Sequence, residues 1–175
     1  VGALYVRPGV HLARLLHGAG QEGGRRPGTE NVLEIVGLGQ ACELARENLD
    51  AYRAHFRAMR DRLYERLLDE LGPERVRLNG HPEKRLPNTL NLSFRGVEAN
   101  RLLAEIQDRV AASAGAACHA GAVDISAVLQ AMQVPLEWAK GTVRFSVGRD
   151  TTAQEIDRAA EIVAQAVRRR QERNS

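Results

Sequence analysis

Thr89-Leu-Asn-Leu-Ser-Phe94 is the stretch that decides the fold. Leucine or phenylalanine stands at every second position, and alternate side chains of a strand point to the same face. Val143-Arg-Phe-Ser-Val147 alternates in the same way, and residues 76–78 and 111–115 are two further short strand candidates. The sequence therefore predicts a small sheet.

Helical patterns surround these strands. Apolar residues recur at spacings of three and four from Val32 to Leu71, with residues 48–50 as a candidate break, and Gly72-Pro73 ends the pattern. Residues 98–106 form a short helix, and Thr152-Ala-Gln-Glu155 is a capping box that opens a final one. Residues 2–6 are predicted to be a buried strand. Few strands among several helices favour an α+β fold in which helices pack on a small sheet.

Composition narrows the classes of function. The 175 residues are 43% hydrophobic and 27% charged, which predicts a packed core and argues against disorder. No apolar run approaches the roughly 20 residues of a membrane span. The net charge is only +3, charges alternate in sign along residues 46–70, and aromatic residues are only 4%, so nucleic-acid binding is not favoured.

Two cysteines make neither a disulfide framework nor a zinc set, so we expect a reducing, cytoplasmic compartment. The histidines have no spacing typical of a metal site, and no metal is predicted. Cys42 falls in the apolar register of the long helix and is predicted to lie in the core.

Two segments have the chemistry of phosphate sites. Gly18 to Gly23 matches the dinucleotide pattern of glycines, but no strand pattern precedes it and Pro27-Gly28 breaks the helix that should open on these glycines, so we reject that interpretation. Thr29 stands at the expected N-cap of the long helix, beside Arg25 and Arg26. Such a helix start can bind anions, although the spacing alone favours an ordinary capped helix.

Cys118 and Arg144 each allow two interpretations. Small residues surround Cys118 in Ser113-Ala-Gly-Ala-Ala-Cys-His119, so its thiol is either an accessible nucleophile or a packed core group. Arg144 interrupts an apolar strand, where it either binds a carboxylate or points outward.

Five motifs in order resemble a known family. They are Gly2-Ala-Leu-Tyr-Val6, Gly20-Gln-Glu with Arg26-Pro-Gly-Thr-Glu-Asn31, Leu86-Pro-Asn-Thr-Leu-Asn91, Ser113-Ala-Gly-Ala-Ala-Cys-His119, and Val143-Arg-Phe-Ser-Val-Gly-Arg149. Together they resemble the C-terminal part of the cysteine desulfurases and selenocysteine lyases, which are class V pyridoxal-phosphate enzymes of fold type I. The resemblance covers essentially the whole chain, and the Ala-Ala-Cys-His element is most similar to selenocysteine lyases.

The resemblance implies roles for three residues. Cys118 corresponds to the catalytic cysteine, which takes sulfur from the substrate as a persulfide or assists the release of selenium. Thr29 corresponds to the threonine that contacts the cofactor phosphate in the neighbouring subunit of a homodimer. Arg144 corresponds to the arginine that holds the substrate α-carboxylate. The implied reaction removes sulfur or selenium from L-cysteine or L-selenocysteine and leaves L-alanine, with an acceptor protein as a further partner.

One departure from the family concerns the Schiff-base lysine. In the family it lies in a His-Lys pair just upstream of the Gly-Ala-Leu-Tyr-Val segment, and neither Lys84 nor Lys140 has that context. The resemblance therefore implies a fragment that is inactive alone, with residues 1–48 from the end of the large cofactor-binding domain and residues 49–175 as the small domain. Such a fragment would expose apolar surface around residues 1–6.

Three alternatives remain open from the sequence. One is another class V enzyme, such as an aminotransferase-like member, although transamination needs no thiol. The second is a non-catalytic interaction domain of the same fold. The third is a thiol redox protein, which is weakened by the lack of a second cysteine close to Cys118.

Overall fold

The computed structural model describes the backbone of residues 1–114, 116–119 and 122–173, and the side chains of these residues except 116–119 and 122–124. The chain divides into two compact units, Val1–Leu49 and Asp50–Ser175. Among the described residues, no helix is both long enough and apolar enough to cross a membrane.

A four-stranded antiparallel sheet forms the centre of the second unit. Its strands lie in the order β1-β2-β6-β3. Their bounds are Val76–Leu78 for β1, Thr89–Phe94 for β2, Ser113–Ala114 for β3 and Thr142–Ser146 for β6. Two further strands, β4 (Ala116–His119) and β5 (Ala122–Ile125), pair antiparallel as a separate hairpin.

Six helices complete the described structure. Their bounds are Gln21–Gly24 for α1, Val32–Leu71 for α2, Ala99–Ile106 for α3, Ala127–Ala131 for α4, Leu136–Ala139 for α5 and Ala153–Glu172 for α6. The predicted capping box is confirmed at α6, where Thr152 Oγ1 accepts from the backbone N–H of Glu155 and the Glu155 carboxylate accepts from that of Thr152. Beyond its capping box, α6 is stabilised by its apolar stripe.

One face of the sheet carries the main core of the second unit. Leu90, Leu92 and Phe94 of β2 are at most 1% exposed and pair in register with β1 and β6. The C-terminal half of α2, together with α3 and α6, packs its apolar residues into the same cluster. The predicted α+β fold, with helices packed on a small sheet, is confirmed.

Charged groups join α3 to α6 at the edge of this core. Glu105 on α3 accepts hydrogen bonds from Arg169 Nε at 2.9 Å and from Arg170 Nε at 2.8 Å. Burial raises the pKa of the Glu105 carboxyl, but the hydrogen bonds and the positive charges of the two arginines together outweigh it, so that this pKa lies below its ordinary value. The pair of arginines therefore holds the carboxylate in its charged form.

Three local predictions were wrong. Residues 2–6 form no strand, and Leu4 and Tyr5 are 75% and 86% exposed; a strand needs a neighbour to pair its backbone groups, and the first unit contains none among its described residues. The long helix has no break at residues 48–50. Cys42 is exposed rather than buried, because the part of α2 in the first unit carries its apolar residues on an exposed surface.

Candidate functional site

Arg144 lies in the middle of β6, on the sheet face opposite the main core. Its neighbours Val143 and Phe145 are buried in that core, whereas Arg144 itself is exposed. Of the two interpretations left open by the sequence, the strand alternation therefore selects the outward-facing one. No ion pair joins Arg144 to a carboxylate among the side chains that the structure describes, so within this range its guanidinium is available to bind an anion.

The face that carries Arg144 is open at one end and covered at the other. At the covered end Ser93 and Thr142 are both 0% exposed, and their hydroxyl oxygens lie 2.7 Å apart. Helix α5 lies against β2 there, and Thr142 Oγ1 donates to the Trp138 carbonyl at 3.5 Å. Arg144 stands at the open end, paired in register with Asn91 on one side and Ser113 on the other.

Cys118 belongs to the hairpin that comes after the edge strand beside Arg144. Ser113 of β3 is the register partner of Arg144, and five residues later Cys118 lies in β4, where it pairs with Val123 of β5. The predicted strand at 111–115 is reduced to β3, and Gly115 lies outside the described residues. The Cys118 side chain also lies outside them, so its proposed role stays a prediction.

Thr29 lies in the first unit, in a cleft of about 990 Å³. The cleft is also lined by residues 1–6, by Arg25 and Arg26, and by Asn31. Arg26 Nη1 donates to the carbonyl of Gly28 at 2.7 Å, so that one of these guanidiniums lies close to the turn before Thr29. An exposed threonine hydroxyl beside two arginines is a donor set that suits a phosphate group.

Thr29 does not cap the long helix. Helix α2 begins at Val32, and Asn31 Oδ1 accepts from the backbone N–H of Glu34 at 3.3 Å. Asparagine is as good an N-cap as threonine, and its position one residue before Val32 places it at the helix start. The prediction that Thr29 is the N-cap was therefore wrong, and the correction leaves its hydroxyl free of that bond.

The donor set of the first unit fits the phosphate of pyridoxal phosphate. Thr29, Arg25 and Arg26 supply a hydroxyl and two cations at one cleft, which Glu22 also lines, pairing with Arg26 Nη2 at 3.5 Å. A lysine that would form the Schiff base is not among the residues that line this cleft. The side chains that line this cleft therefore suit the phosphate end of such a cofactor.

A polar network on the sheet escaped the sequence interpretation. Asn79, Ser93 and Thr142 are buried and linked by hydrogen bonds, and none of them was among the predicted site residues. The available signal was the alternation in β2, where Asn91 and Ser93 occupy the positions between the apolar residues. Two successive polar residues on the same face of a strand indicate that this face of the sheet is polar.

The fold is an α+β arrangement of helices on a small sheet, with an exposed arginine on the open sheet face. The family model described as aminotransferase class-V matches residues 8–159. The chain therefore belongs to the aminotransferase class-V family.

Within this family, the chain is similar to several named proteins. The chain is 46% identical over 164 residues to a cysteine desulfurase of Gluconacetobacter diazotrophicus, a match that covers 93% of the chain. It is 47% identical over 177 residues to the selenocysteine lyase of Bos taurus, with 97% of the chain covered. A solved NifS-like protein matches with a TM-score of 0.80 at 30% identity, over 94% of the chain and 41% of that structure.

The chain is much shorter than these relatives. It spans about 40% of the cysteine desulfurase and about 40% of the selenocysteine lyase. The resemblance drawn from the five motifs is confirmed by these matches, whereas the activity of the longer proteins has to be proposed for this chain rather than read from them.

Proposed function

We propose that this chain is the C-terminal part of a pyridoxal-phosphate-dependent cysteine desulfurase or selenocysteine lyase. In that enzyme it removes sulfur or selenium from L-cysteine or L-selenocysteine and leaves L-alanine. The observation that carries the proposal is Arg144, an exposed guanidinium on the open sheet face whose register partner Ser113 leads into the Cys118 hairpin. The similarity to both classes of relatives supports it.

Each of three residues has one task in this proposal. Arg144 binds the α-carboxylate of the amino acid, because a guanidinium matches a carboxylate in charge and geometry. Thr29 donates to the cofactor phosphate, with Arg25 and Arg26 close by, in the neighbouring subunit of a homodimer. Residues 1–48 belong to the large domain and residues 49–175 to the small domain.

Cys118, the third of these residues, acts on the chalcogen. Its thiolate attacks the substrate sulfur, the bond between that sulfur and the substrate β-carbon breaks, and a new bond joins the Cys118 sulfur to the transferred one. The electron pair of the broken bond returns to the carbon skeleton, which takes up a proton and leaves as alanine. Pyridoxal phosphate, when bound, supplies a ring that accepts electrons during this cleavage. The S–S bond of the persulfide then breaks, and its outer sulfur passes to an acceptor protein in a reducing, cytoplasmic compartment, while the inner sulfur stays on Cys118.

The chain alone is proposed to lack the cofactor lysine. Lys84 lies in the loop between β1 and β2, and Lys140 comes directly after α5, so neither belongs to the cleft around Thr29. Incubation with pyridoxal phosphate followed by borohydride reduction and mass spectrometry tests this assignment. We expect no pyridoxyl-lysine above the level of a denatured control.

A stoichiometric adduct at Lys84 or Lys140 would contradict the fragment assignment. The Lys84→Arg and Lys140→Arg variants identify which lysine carries any adduct, while keeping the charge. Alanine production from L-cysteine by the purified chain, measured in the same preparation, would also overturn it.

A further inference from the structure

Buried Asn79 uses both protons of its side-chain amide. Asn79 is 7% exposed, and its Nδ2 donates to Asn91 Oδ1 at 2.8 Å and to Ser93 Oγ at 2.7 Å. Its own Oδ1 is shut off from solvent and has no hydrogen-bond partner among the described residues. Buried polar atoms are almost always paired, so this oxygen is an exception within the network.

The contacts of the neighbouring residues are consistent with an Asn79 amide whose Nδ2 points towards Asn91 and Ser93. Ser93 Oγ and Thr142 Oγ1 lie 2.7 Å apart, and either hydroxyl can be the donor. Ser93 Oγ accepts from Asn79 Nδ2 at 2.7 Å whichever way that bond runs. Turning the Asn79 amide over would set its oxygen against Asn91 Oδ1, which is itself an acceptor. Asn79 therefore presents its nitrogen to both neighbours.

The orientation of Asn79 determines that of Asn91. Asn91 Oδ1 faces the second proton of Asn79 Nδ2, so Asn91 Nδ2 lies on the other side of its amide. Asn91 is half-buried and is the register partner of Arg144. Residues directly opposite in an antiparallel pair have Cβ atoms about 4.5–5.5 Å apart and share a face. An amide donor and a guanidinium donor thus stand side by side at the open end of the sheet face.

We propose that Asn91 is a second substrate-binding residue, whose Nδ2 donates to the same carboxylate that Arg144 binds, with Asn79 as its positioning residue. A carboxylate offers about four acceptor sites on two oxygens, more than a single guanidinium fills. The amide adds a neutral donor at a fixed angle, which favours a planar carboxylate over a monatomic anion. The proposal rests on the role assigned to Arg144 in the proposed function.

The chain itself, labelled with ¹⁵N, is the sample for the test. L-Alanine, the proposed product, is titrated at constant ionic strength while the Asn91 Nδ2 and Arg144 Nε resonances are followed. L-Alaninamide, which keeps the amine but lacks the carboxylate, is the matched ligand control. We expect both resonances to shift saturably with L-alanine and neither with L-alaninamide.

Variants separate donation by Asn91 from a structural effect. Asn91→Ala is expected to raise the dissociation constant for L-alanine about tenfold, the loss of one hydrogen bond to a charged group. Asn91→Asp, which keeps the shape and places a negative charge beside the ligand, is expected to weaken binding further. Ser146→Ala, on the same face and strand as Arg144, is the control expected to leave the constant unchanged.

Asn79→Ala tests the positioning role. In this variant we expect the shift of the Arg144 resonance on addition of L-alanine to persist while the shift of the Asn91 resonance falls. The backbone spectrum should otherwise be like that of the wild type. A saturable Arg144 response with a silent Asn91, or an Asn91→Ala variant that binds like the wild type, would overturn the inference and leave the role of Arg144 standing. A lack of response at both residues would overturn both.

Discussion

Cys118 and Cys42 allow two thiols of one chain to be compared at the scale of single residues. Cys42 is exposed on α2, and Cys118 lies in the hairpin among small residues with His119 next to it. The thiolate is the reactive form of cysteine, and a neighbouring imidazolium favours it. In matched Cys42→Ala and Cys118→Ala variants we expect iodoacetamide to alkylate Cys118 several times faster than Cys42 at neutral pH.

The alkylation rates of the unfolded variants serve as the baseline for this comparison. Both variants are alkylated again in denaturant, where the two thiols have no folded surroundings and are expected to react at similar rates. If Cys118 in the folded chain reacts no faster than Cys42, its surroundings do not activate it. A non-catalytic interaction domain of the same fold would then explain the chain better than a desulfurase.

Single residues also show where sequence interpretation stops. The alternation in β6 left two orientations for Arg144, and the burial of Val143 and Phe145 was needed to choose one. Thr29 and Asn31 are both good capping residues, and only the first residue of α2 decides between them. A local sequence pattern shows which residues are candidates for a role. The contacts that each of them makes depend on the packing of distant segments.

Glu105 supports a prediction at the scale of elements, because it joins α3 to two arginines of α6. Its pKa is lower in the folded chain than the unfolded value of about 4.3, so the folded state holds fewer protons there. The stability it contributes is present above a pH of about 4.3 and is lost as the pH falls through the lower, folded value. Glu105→Gln is expected to lower the free energy of unfolding by about 1 kcal/mol at pH 7.

Urea denaturation at pH 7 and at pH 3 measures both parts of this expectation. The difference between wild type and Glu105→Gln should shrink at the lower pH, where the wild-type carboxyl is protonated to a larger extent. Glu161→Gln is the matched control, because its carboxylate pairs with Arg158 on the same exposed helix face. An equal loss in the two variants would show that the α3–α6 link adds nothing beyond a surface ion pair.

The elements that the sequence predicted are those with a strong period of their own. The apolar repeat of α2, the alternation of β2 and β6, and the capping box of α6 all have local causes, and the structure confirms them. Helices α4 and α5 and the β4–β5 hairpin strands are four or five residues long, too short for either period to emerge. Residues 2–6 have a strand-like composition but no strand to pair with among the described residues of their unit.

Apolar exposure is concentrated in the first unit of the molecule. Leu4, Tyr5 and Leu15 are 75%, 86% and 92% exposed, and the apolar side chains at the start of α2 are exposed as well. Large exposed apolar surface is rare on monomeric proteins and drives association. In the proposed enzyme the remainder of the large domain would cover this surface.

The whole chain is therefore expected to self-associate through its first unit. Sedimentation velocity between about 1 and 100 µM should show a weight-average mass that rises with concentration, because burial of apolar side chains favours contact between copies. Leu4→Ser with Tyr5→Ser is expected to lower that mass at every concentration. Leu86→Ser removes a leucine that is 68% exposed in the second unit, and this control should leave it unchanged. A chain that stays monomeric throughout, or a control as effective as the double variant, would show that residues 1–6 do not form an association surface, and that the first unit needs no covering domain to stay soluble.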